Sequence, residues 1–179
     1  NLSFGSSWLH QDTSYLASDR PRFTMLMGIE IPIGQGNTIF SSGFNAYEKL
    51  PSEIKNKIKN ATGIFSSAGP IAVTRIEREK EMGIKSSDSM EAEHPIVKIV
   101  NGKKTLYVSP GHLMKIKNVD EKDAVYLKQY LVEHVNKKEF IFSYEWSKGD
   151  ICLWDNLSIL HMASEIKNCR RVMYRITLK

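Results

Sequence analysis

The sequence is poor in the features that mark several classes of protein. Only two cysteines, Cys152 and Cys169, occur among 179 residues, which excludes a disulfide framework, and no Cys/His cluster has the spacing of a zinc ribbon. Apolar runs are far shorter than the roughly 20 residues of a membrane helix, and we expect no signal peptide. Repeats and low-complexity tracts are also absent. These absences predict a cytoplasmic protein with free thiols and no membrane contact.

The composition is that of a globular protein with a small excess of basic residues. Apolar residues make up 41% and charged residues 25%, and the length corresponds to one domain, residues 1–179. Lys and Arg outnumber Asp and Glu by 25 to 20, a net charge of +5. The basic residues are interleaved with acids rather than gathered into a stripe, which argues against nucleic-acid binding. A small anionic ligand accounts for the excess equally well.

Strand patterns dominate the chain. Asn101-Gly102 between two β-branched segments predicts a hairpin, and apolar residues at helical spacing predict an amphipathic helix over 120–135. A second helix is expected over 45–60, with Pro51 tolerated near a first turn. Strands are expected at residues 23–31, 38–42, 94–100, 105–109, 140–146, 151–154 and 171–178. Many strands and few helices predict a mainly β protein, an antiparallel sandwich or barrel.

The segment 75–93 differs from the rest of the chain. Ten of its nineteen residues are charged, and large apolar residues are few. Such a segment buries little surface, so we expect a solvated surface excursion, with a lid over the barrel as the alternative.

Two separated elements carry residue types that bind metals. In Trp8-Leu-His10-Gln-Asp12, a strand would project His10 and Asp12 from one face, although surface pairs of this kind are common. Far downstream, His161 follows an apolar strand and a polar turn, where a barrel strand would end at its mouth. A structural histidine is the alternative there. Two histidines and one carboxylate form the facial triad of non-haem Fe(II) oxygenases, so His10, Asp12 and His161 are candidate ligands for such a metal.

The last strand carries two arginines. Alternation puts Arg171, Met173 and Arg175 on one face, and inward arginines on a mostly apolar strand are costly unless each meets an anion. Arginine offers a rigid two-pronged donor for carboxylates and similar oxyanions. Two structural ion pairs are the alternative, and they need acidic partners that the sequence does not identify.

These motifs occur in an order that is more specific than any one of them. The most specific stretch is Trp146-x-x-Gly-Asp-x-x-x-Trp-Asp-Asn156 leading to His161. Further stretches along the chain are Gly36-Asn-Thr38, Ala46-Tyr47, His94-Pro95, Leu106-Tyr-Val108, Glu139-Phe140 and Arg171-Val-Met-x-Arg175. The set resembles the taurine dioxygenase (TauD/TfdA) family of Fe(II)- and 2-oxoglutarate-dependent oxygenases. The resemblance implies a double-stranded β-helix, or jelly roll.

The resemblance also implies roles for individual residues. His10, Asp12 and His161 would hold Fe(II). Arg171 would bind the distal carboxylate of 2-oxoglutarate, with the Thr38 hydroxyl as a second partner.

Two further positions are expected to contact the substrate. Arg175 matches the arginine that holds the sulfonate in taurine dioxygenase. His112 falls where that enzyme has a substrate-pocket phenylalanine, so taurine itself does not follow as the substrate.

The expected function is hydroxylation of a C–H bond in a small anionic substrate, a sulfonate or carboxylate, with O2 consumed and succinate and CO2 released. Desaturation or another oxidative rearrangement is one alternative, and a non-catalytic jelly-roll protein that binds anions is another. Family members carry a sizeable portion before the His-x-Asp motif, so we expect this chain to lack an N-terminal portion. A homo-oligomer is left open.

Overall fold

The computed structural model of the chain describes residues 3–4, 8–73, 76, 83 and 88–179. Its helices are α1 Gly43–Glu48, α2 Ser52–Ile58 and α3 Glu121–Val135. Its strands are β1 Ser3–Phe4, β2 Phe23–Glu30, β3 Thr38–Ser42, β4 Thr62–Ser66, β5 Glu91–Pro95, β6 Val97–Val100, β7 Lys103–Leu106, β8 Leu113–Lys117, β9 Ile141–Tyr144, β10 Ile151–Asp155, β11 Ile159–Ala163, β12 Ile166–Lys167 and β13 Val172–Leu178.

Two three-stranded antiparallel sheets form the part of the fold that carries the site. One has the order β10-β2-β13 and the other the order β11-β3-β9. The chain passes between them from β2 to β3, from β9 to β10, from β10 to β11 and again before β13. The rings of Phe40 on β3 and Trp154 on β10 lie 5.4 Å apart, so the sheets face each other. The prediction of a mainly β, antiparallel jelly roll is confirmed.

The segment between β3 and β9 forms a second layer with its own apolar interior. It contains the three helices, the sheet β5-β4-β8 and the hairpin β6-β7. Helix α3 buries one stripe and exposes the other, as its periodicity predicts. The buried core there includes Ile54, Ile58, Phe65, Ile96, Leu106, Tyr107, Leu113, Leu127 and Leu131.

Local sequence signals were right about several elements and wrong about one helix. The predicted hairpin is present, and Asn101 and Gly102 have φ angles of +50° and +75°, as a tight two-residue turn requires. The helix expected over 45–60 is two helices, since α1 ends at Glu48 and Pro51 caps the start of α2. Proline has no N–H to donate within a helix, so it begins the second helix rather than continuing the first.

The sheet β10-β2-β13 leaves its outer face open among the described residues. Leu153, Met25 and Ile176 stand in register across the three strands, as do Ile151, Met27 and Tyr174. The β10 and β13 members of these rows are exposed, and the β2 members are half-buried. The apolar sequence of residues 23–31 is typical of a strand buried on both faces, but β2 has one face that is only half-buried.

The prediction for the charged segment 75–93 falls mostly outside the described residues. Only residues 76, 83 and 88–93 of it are described, and the last three begin β5. The surface excursion or lid stays a prediction.

Two expectations about composition can be compared with the fold. Cys152 and Cys169 are free cysteines. Among the described residues, no helix has the length and apolar character needed to cross a membrane.

Candidate metal centre and adjoining pocket

Backbone pairing brings His10 and His161 side by side. The His10 N–H donates to the His161 carbonyl (3.0 Å), and the His161 N–H donates to the His10 carbonyl (2.9 Å). Residues directly opposite in an antiparallel pair project from the same face. The two imidazole centroids are accordingly 4.5 Å apart. His161 lies in the middle of β11, not at the end of a strand as the sequence suggested.

Asp12 reaches the same point from a turn. The expected strand through His10 and Asp12 is reduced to one bridge residue, His10, after which the chain turns. The Asp12 Oδ1 atom lies 4.0 Å from His10 Nε2 and 3.7 Å from His161 Nε2. The ligand atoms of all three residues lie within 4.8 Å of one another. Two imidazoles and a carboxylate suit a divalent first-row metal.

The histidines of this cluster are held neutral. Burial lowers the pKa of His161, and the neighbouring His10 lowers it further. Burial likewise lowers the pKa of His10. Burial opposes ionisation of Asp12, but the favourable contacts of its carboxylate, among them the Thr24 hydroxyl and the Arg175 guanidinium, outweigh it and lower the pKa of the carboxyl. Neutral imidazoles and an ionised carboxylate are the states in which these groups bind metals.

Hydrogen bonds and packing orient the two rings. The Nδ1 atom of His10 lies 3.1 Å from the Trp8 carbonyl, which can only accept, so Nδ1 carries the proton and Nε2 keeps its lone pair. The ring of His161 packs against the indole of Trp154, with centroids 4.6 Å apart.

A pocket of about 180 Å³ adjoins the cluster. Its lining includes His10, Thr24, Leu26, Thr38, Trp154, His161, Ala163, Arg171 and Arg175. The structure thus brings both predicted co-substrate residues and one predicted substrate residue to the cavity beside the three candidate ligands.

The Arg171 side chain is partly buried in this pocket, and no described residue forms an ion pair with it. Its Nε and Nη2 atoms have no hydrogen-bond partner among the described residues, and burial lowers the pKa of its guanidinium. The guanidinium carbon lies 5.9 Å from the ring centre of Trp146. Gly36 makes room for the side chain, because a Cβ built there would come within 2.9 Å of the Arg171 Cδ. A guanidinium with free N–H donors in a cavity is suited to bind a carboxylate through two hydrogen bonds.

Thr38 is prepared as a donor to the same pocket. Its Oγ1 accepts a hydrogen bond from the indole Nε1 of Trp146 at 2.9 Å. The hydroxyl is buried, and with its lone pair engaged its proton is available for a group in the cavity.

Arg175 lines the pocket, as an inward-facing arginine would, but its guanidinium already meets an acidic partner. Its Nη2 lies 2.8 Å from the Asp12 Oδ2, and half of its side chain is exposed. A bulge between Val172 and Met173 separates Arg171 from the regular part of β13, so simple alternation does not relate the two arginines. For Arg175, the acidic partner that the sequence did not identify is Asp12.

His112 is buried close to the cluster. Its Nδ1 lies 2.8 Å from the Ser14 hydroxyl and 3.2 Å from the Ser109 hydroxyl, and its ring centre is 5.7 Å from that of His10. Burial, then the nearby His10, lowers its pKa to about 4. It is not among the described residues that line the pocket.

Sequence reasoning assigned no role to Thr24, Asn156 or Trp146. Thr24 donates to Asp12, and Asn156 donates to Thr24. Asn156 and Trp146 belong to the motif quoted above, but a motif does not say what its members touch. Thr24 had a weaker signal, as one of two polar residues, with Glu30, in the otherwise apolar strand β2.

The sequence is similar to one family of known proteins along nearly its whole length. The family described as "Taurine catabolism dioxygenase TauD, TfdA family" matches residues 1–177. An alkylsulfatase of Acinetobacter baylyi is 31% identical over 184 residues, covering 97% of this chain and 56% of that protein. An alpha-ketoglutarate-dependent (2-oxoglutarate-dependent) sulfate ester dioxygenase of Pseudomonas putida is 26% identical, covering 97% of this chain and 59% of that protein.

Solved structures agree. The crystal structure of a taurine dioxygenase from Burkholderia xenovorans superposes with a TM-score of 0.79 at 26% identity, covering 98% of this chain and 61% of that one. The chain therefore spans somewhat more than half the length of the relatives it matches.

Proposed function

Because the chain belongs to the TauD/TfdA family, we propose that the protein is an Fe(II)- and 2-oxoglutarate-dependent dioxygenase that hydroxylates a C–H bond of a small anionic substrate. The observation that carries the proposal is the convergence of His10, Asp12 and His161 beside a pocket in which two buried nitrogen atoms of Arg171 have no hydrogen-bond partner among the described residues. Each part of the proposal rests on a separate feature of this site.

The three candidate ligands fit Fe(II). Two neutral imidazoles and one carboxylate leave further coordination positions free on an octahedral ion, as a reaction with two co-substrates requires. His10 presents Nε2 because its Nδ1 is engaged by a backbone carbonyl, and Asp12 presents Oδ1 because its Oδ2 is engaged by Thr24 and Arg175.

The pocket fits 2-oxoglutarate. Arg171 has two buried nitrogen atoms, Nε and Nη2, whose N–H groups meet no acceptor in the described part of the chain, and Thr38 has a hydroxyl proton to donate. A carboxylate placed between them would satisfy all three donors and neutralise the buried charge. Gly36 leaves the space that the Arg171 side chain needs.

Iron and 2-oxoglutarate, when bound, supply the oxidising chemistry: one atom of O2 enters the substrate as a hydroxyl group, the other enters succinate, and CO2 is released. The protein binds, orients and excludes water. Arg171 and Thr38 hold the co-substrate, and Arg175 holds the substrate anion so that one C–H bond faces the metal. His112 is not among the described residues that line the pocket, so its contact with the substrate stays a prediction.

The substrate class we propose is a sulfonate, sulfate ester or carboxylate. Relatives are named for sulfate esters and for 2,4-dichlorophenoxyacetate, all of which present an oxyanion. Arg175 supports this class, since its guanidinium is half-exposed and lies beside the metal ligands.

A panel of anions tests the proposal. We expect succinate formation with Fe(II), 2-oxoglutarate and O2 to rise with at least one of an alkyl sulfate, an alkylsulfonate and an aryloxyacetate, and not with the corresponding alcohols. Arg175 also contacts Asp12, so the variant is assayed at saturating Fe(II); under that condition Arg175→Gln should raise the KM for that anion and leave the KM for 2-oxoglutarate nearly unchanged. Arg22→Gln is the matched control, since Arg22 is also partly exposed but pairs with Asp155 outside the pocket. Equal stimulation by the alcohols, or an unaltered anion KM in Arg175→Gln, would contradict the proposed substrate class.

A further inference from the structure

We propose that Trp154, Asn156 and Thr24 form a hydrogen-bonded relay that fixes the Asp12 carboxylate with Oδ1 turned to the metal. The three are positioning residues, because they act on the metal only through Asp12. The inference rests on the proposed function, since it presupposes a metal held by His10, Asp12 and His161.

The relay ends on one oxygen of Asp12 and leaves the other for the metal. The Thr24 hydroxyl donates to Asp12 Oδ2 at 2.6 Å, and Arg175 Nη2 lies 2.8 Å from the same atom. Oδ1 is the oxygen that faces Nε2 of both histidines. A carboxylate with one oxygen occupied by two donors is restricted to a single-oxygen contact with the metal.

The direction of the Thr24 hydroxyl is set by Asn156. A hydroxyl has one proton, and here its oxygen accepts from the Asn156 Nδ2 at 2.8 Å. With Nδ2 as its donor, the Thr24 oxygen directs its own proton to Asp12. Thr24 and Asn156 are 1% and 2% exposed, so water does not compete for these bonds.

The orientation of the Asn156 amide is set in turn by Trp154. The indole Nε1–H can only donate, and it lies 3.1 Å from the Asn156 Oδ1, which also accepts from the Asp12 backbone N–H at 3.4 Å. A flipped amide would turn its NH2 group toward two donors. Trp154 therefore fixes which way the whole relay points.

Trp154 also packs on the other side of the metal centre. Its ring lies 4.6 Å from that of His161 and 5.4 Å from that of Phe40. One side chain thus positions two candidate ligands, His161 through ring packing and Asp12 through hydrogen bonds.

Co(II) binding tests the relay without requiring turnover. Wild-type protein should bind Co(II) with a visible spectrum characteristic of its coordination. Thr24→Val, which keeps the shape but removes the hydroxyl, should weaken Co(II) binding by about 10–100-fold and alter the spectrum. Thr24→Ser restores the hydroxyl and should recover most of the affinity and the wild-type spectrum.

The matched control is Thr105→Val. Thr105 is also a fully buried threonine on a strand, but its hydroxyl has no hydrogen-bond partner among the described residues. We expect its Co(II) affinity and spectrum to equal those of the wild type. Trp154→Phe, which retains a ring beside His161 but lacks the N–H, provides a second variant and should move the spectrum in the direction of Thr24→Val.

The outcomes separate the relay from the site itself. If wild-type protein binds no Co(II), or if Asp12→Ala binds it equally well, the proposed metal site is wrong. If binding depends on Asp12 but folded Thr24→Val or Trp154→Phe keeps the wild-type affinity and spectrum, the site stands and the relay is overturned. A spectrum that Thr24→Ser does not restore would also overturn it.

Discussion

Replacing Arg171 by Met should stabilise the protein without ligands and remove its response to 2-oxoglutarate. Arg171 holds a charge in a pocket where two of its N–H groups find no partner among the described residues. Met is of similar length and needs no hydrogen bonds. The ligand-free protein therefore loses a buried, unsatisfied group, while the loaded protein loses the group that neutralises the co-substrate.

The expected magnitudes are large enough to measure. An unsatisfied buried polar group costs about 1–3 kcal/mol, so Arg171→Met should raise the free energy of unfolding by about that amount. For a chain of this size, 1 kcal/mol corresponds to a shift of about 2–4 °C in Tm. Binding stabilises the wild type by about 2.7 kcal/mol at a ligand concentration of 100 Kd. Adding 2-oxoglutarate should therefore stabilise the wild type but not Arg171→Met. The wild type should then approach or exceed the variant in free energy of unfolding.

Thermal unfolding under nitrogen, with Co(II) present and with or without 2-oxoglutarate, measures both effects. Arg170→Met is the control, because Arg170 is an exposed neighbour paired with Glu30 at 3.3 Å. We expect its stability to change by less than about 0.5 kcal/mol, with the 2-oxoglutarate response retained. The reasoning is refuted if Arg171→Met is less stable than wild type without ligand, or if 2-oxoglutarate stabilises it as much as the wild type.

Three further predictions concern the pocket and its surroundings. Gly36→Ala should raise the KM for 2-oxoglutarate, because the added Cβ would press on Arg171. Gly34→Ala is the control, since Gly34 has a similar φ (+69° against +74°) but open space around it. It should lose the same backbone stability, about 1 kcal/mol, and keep the wild-type KM. Thr38→Val should raise the KM for 2-oxoglutarate roughly tenfold, because it removes a hydrogen bond to a charged group. The Co(II) spectrum should stay unchanged, and an altered spectrum would assign Thr38 to the metal instead. Stability should fall as the pH drops from about 6.5 toward 4, because His94 and His112 each have a pKa of about 4 in the fold and the unfolded chain takes up their protons first. Each histidine should lower the free energy of unfolding by about 2 kcal/mol between pH 7.5 and pH 5. Urea unfolding measures this change, and equal free energies of unfolding at the two pH values would contradict the prediction.

The sequence predicted the strands that have strong local patterns. The runs at 38–42 and 171–178 appear as β3 and β13 within a residue, and Asn-Gly marked the β6-β7 hairpin. It did not predict β4, β8 or β11. These are five-residue strands whose patterns are broken by residues such as Gly63, Ser66 and His161, and their partners are distant in sequence. Pairing across the sheet, rather than local preference, determines them.

For the candidate site, the sequence likewise predicted which residues take part but not the contacts that hold them. Residue types and the family resemblance named His10, Asp12, His161, Thr38 and Arg171. Four of them line one pocket, and the ligand atom of Asp12 lies within 4.8 Å of those of the two histidines.

What the sequence did not predict is how these groups are held. The link from Trp154 through Asn156 to Thr24 joins residues up to 132 positions apart, and no spacing rule contains it. The contact of Arg175 with Asp12 was missed for the same reason, since it depends on a turn that brings the Asp12 carboxylate to β13.

The central claim is that His10, Asp12 and His161 bind one Fe(II) beside the 2-oxoglutarate pocket. Anaerobic titration of the protein with Fe(II) and 2-oxoglutarate tests it most directly, because chelation of the iron by the oxoacid gives a visible charge-transfer band. We predict the band in the wild type and its loss in His161→Ala. A wild-type protein without the band, or a His161→Ala protein that retains it at full strength, would contradict the claim.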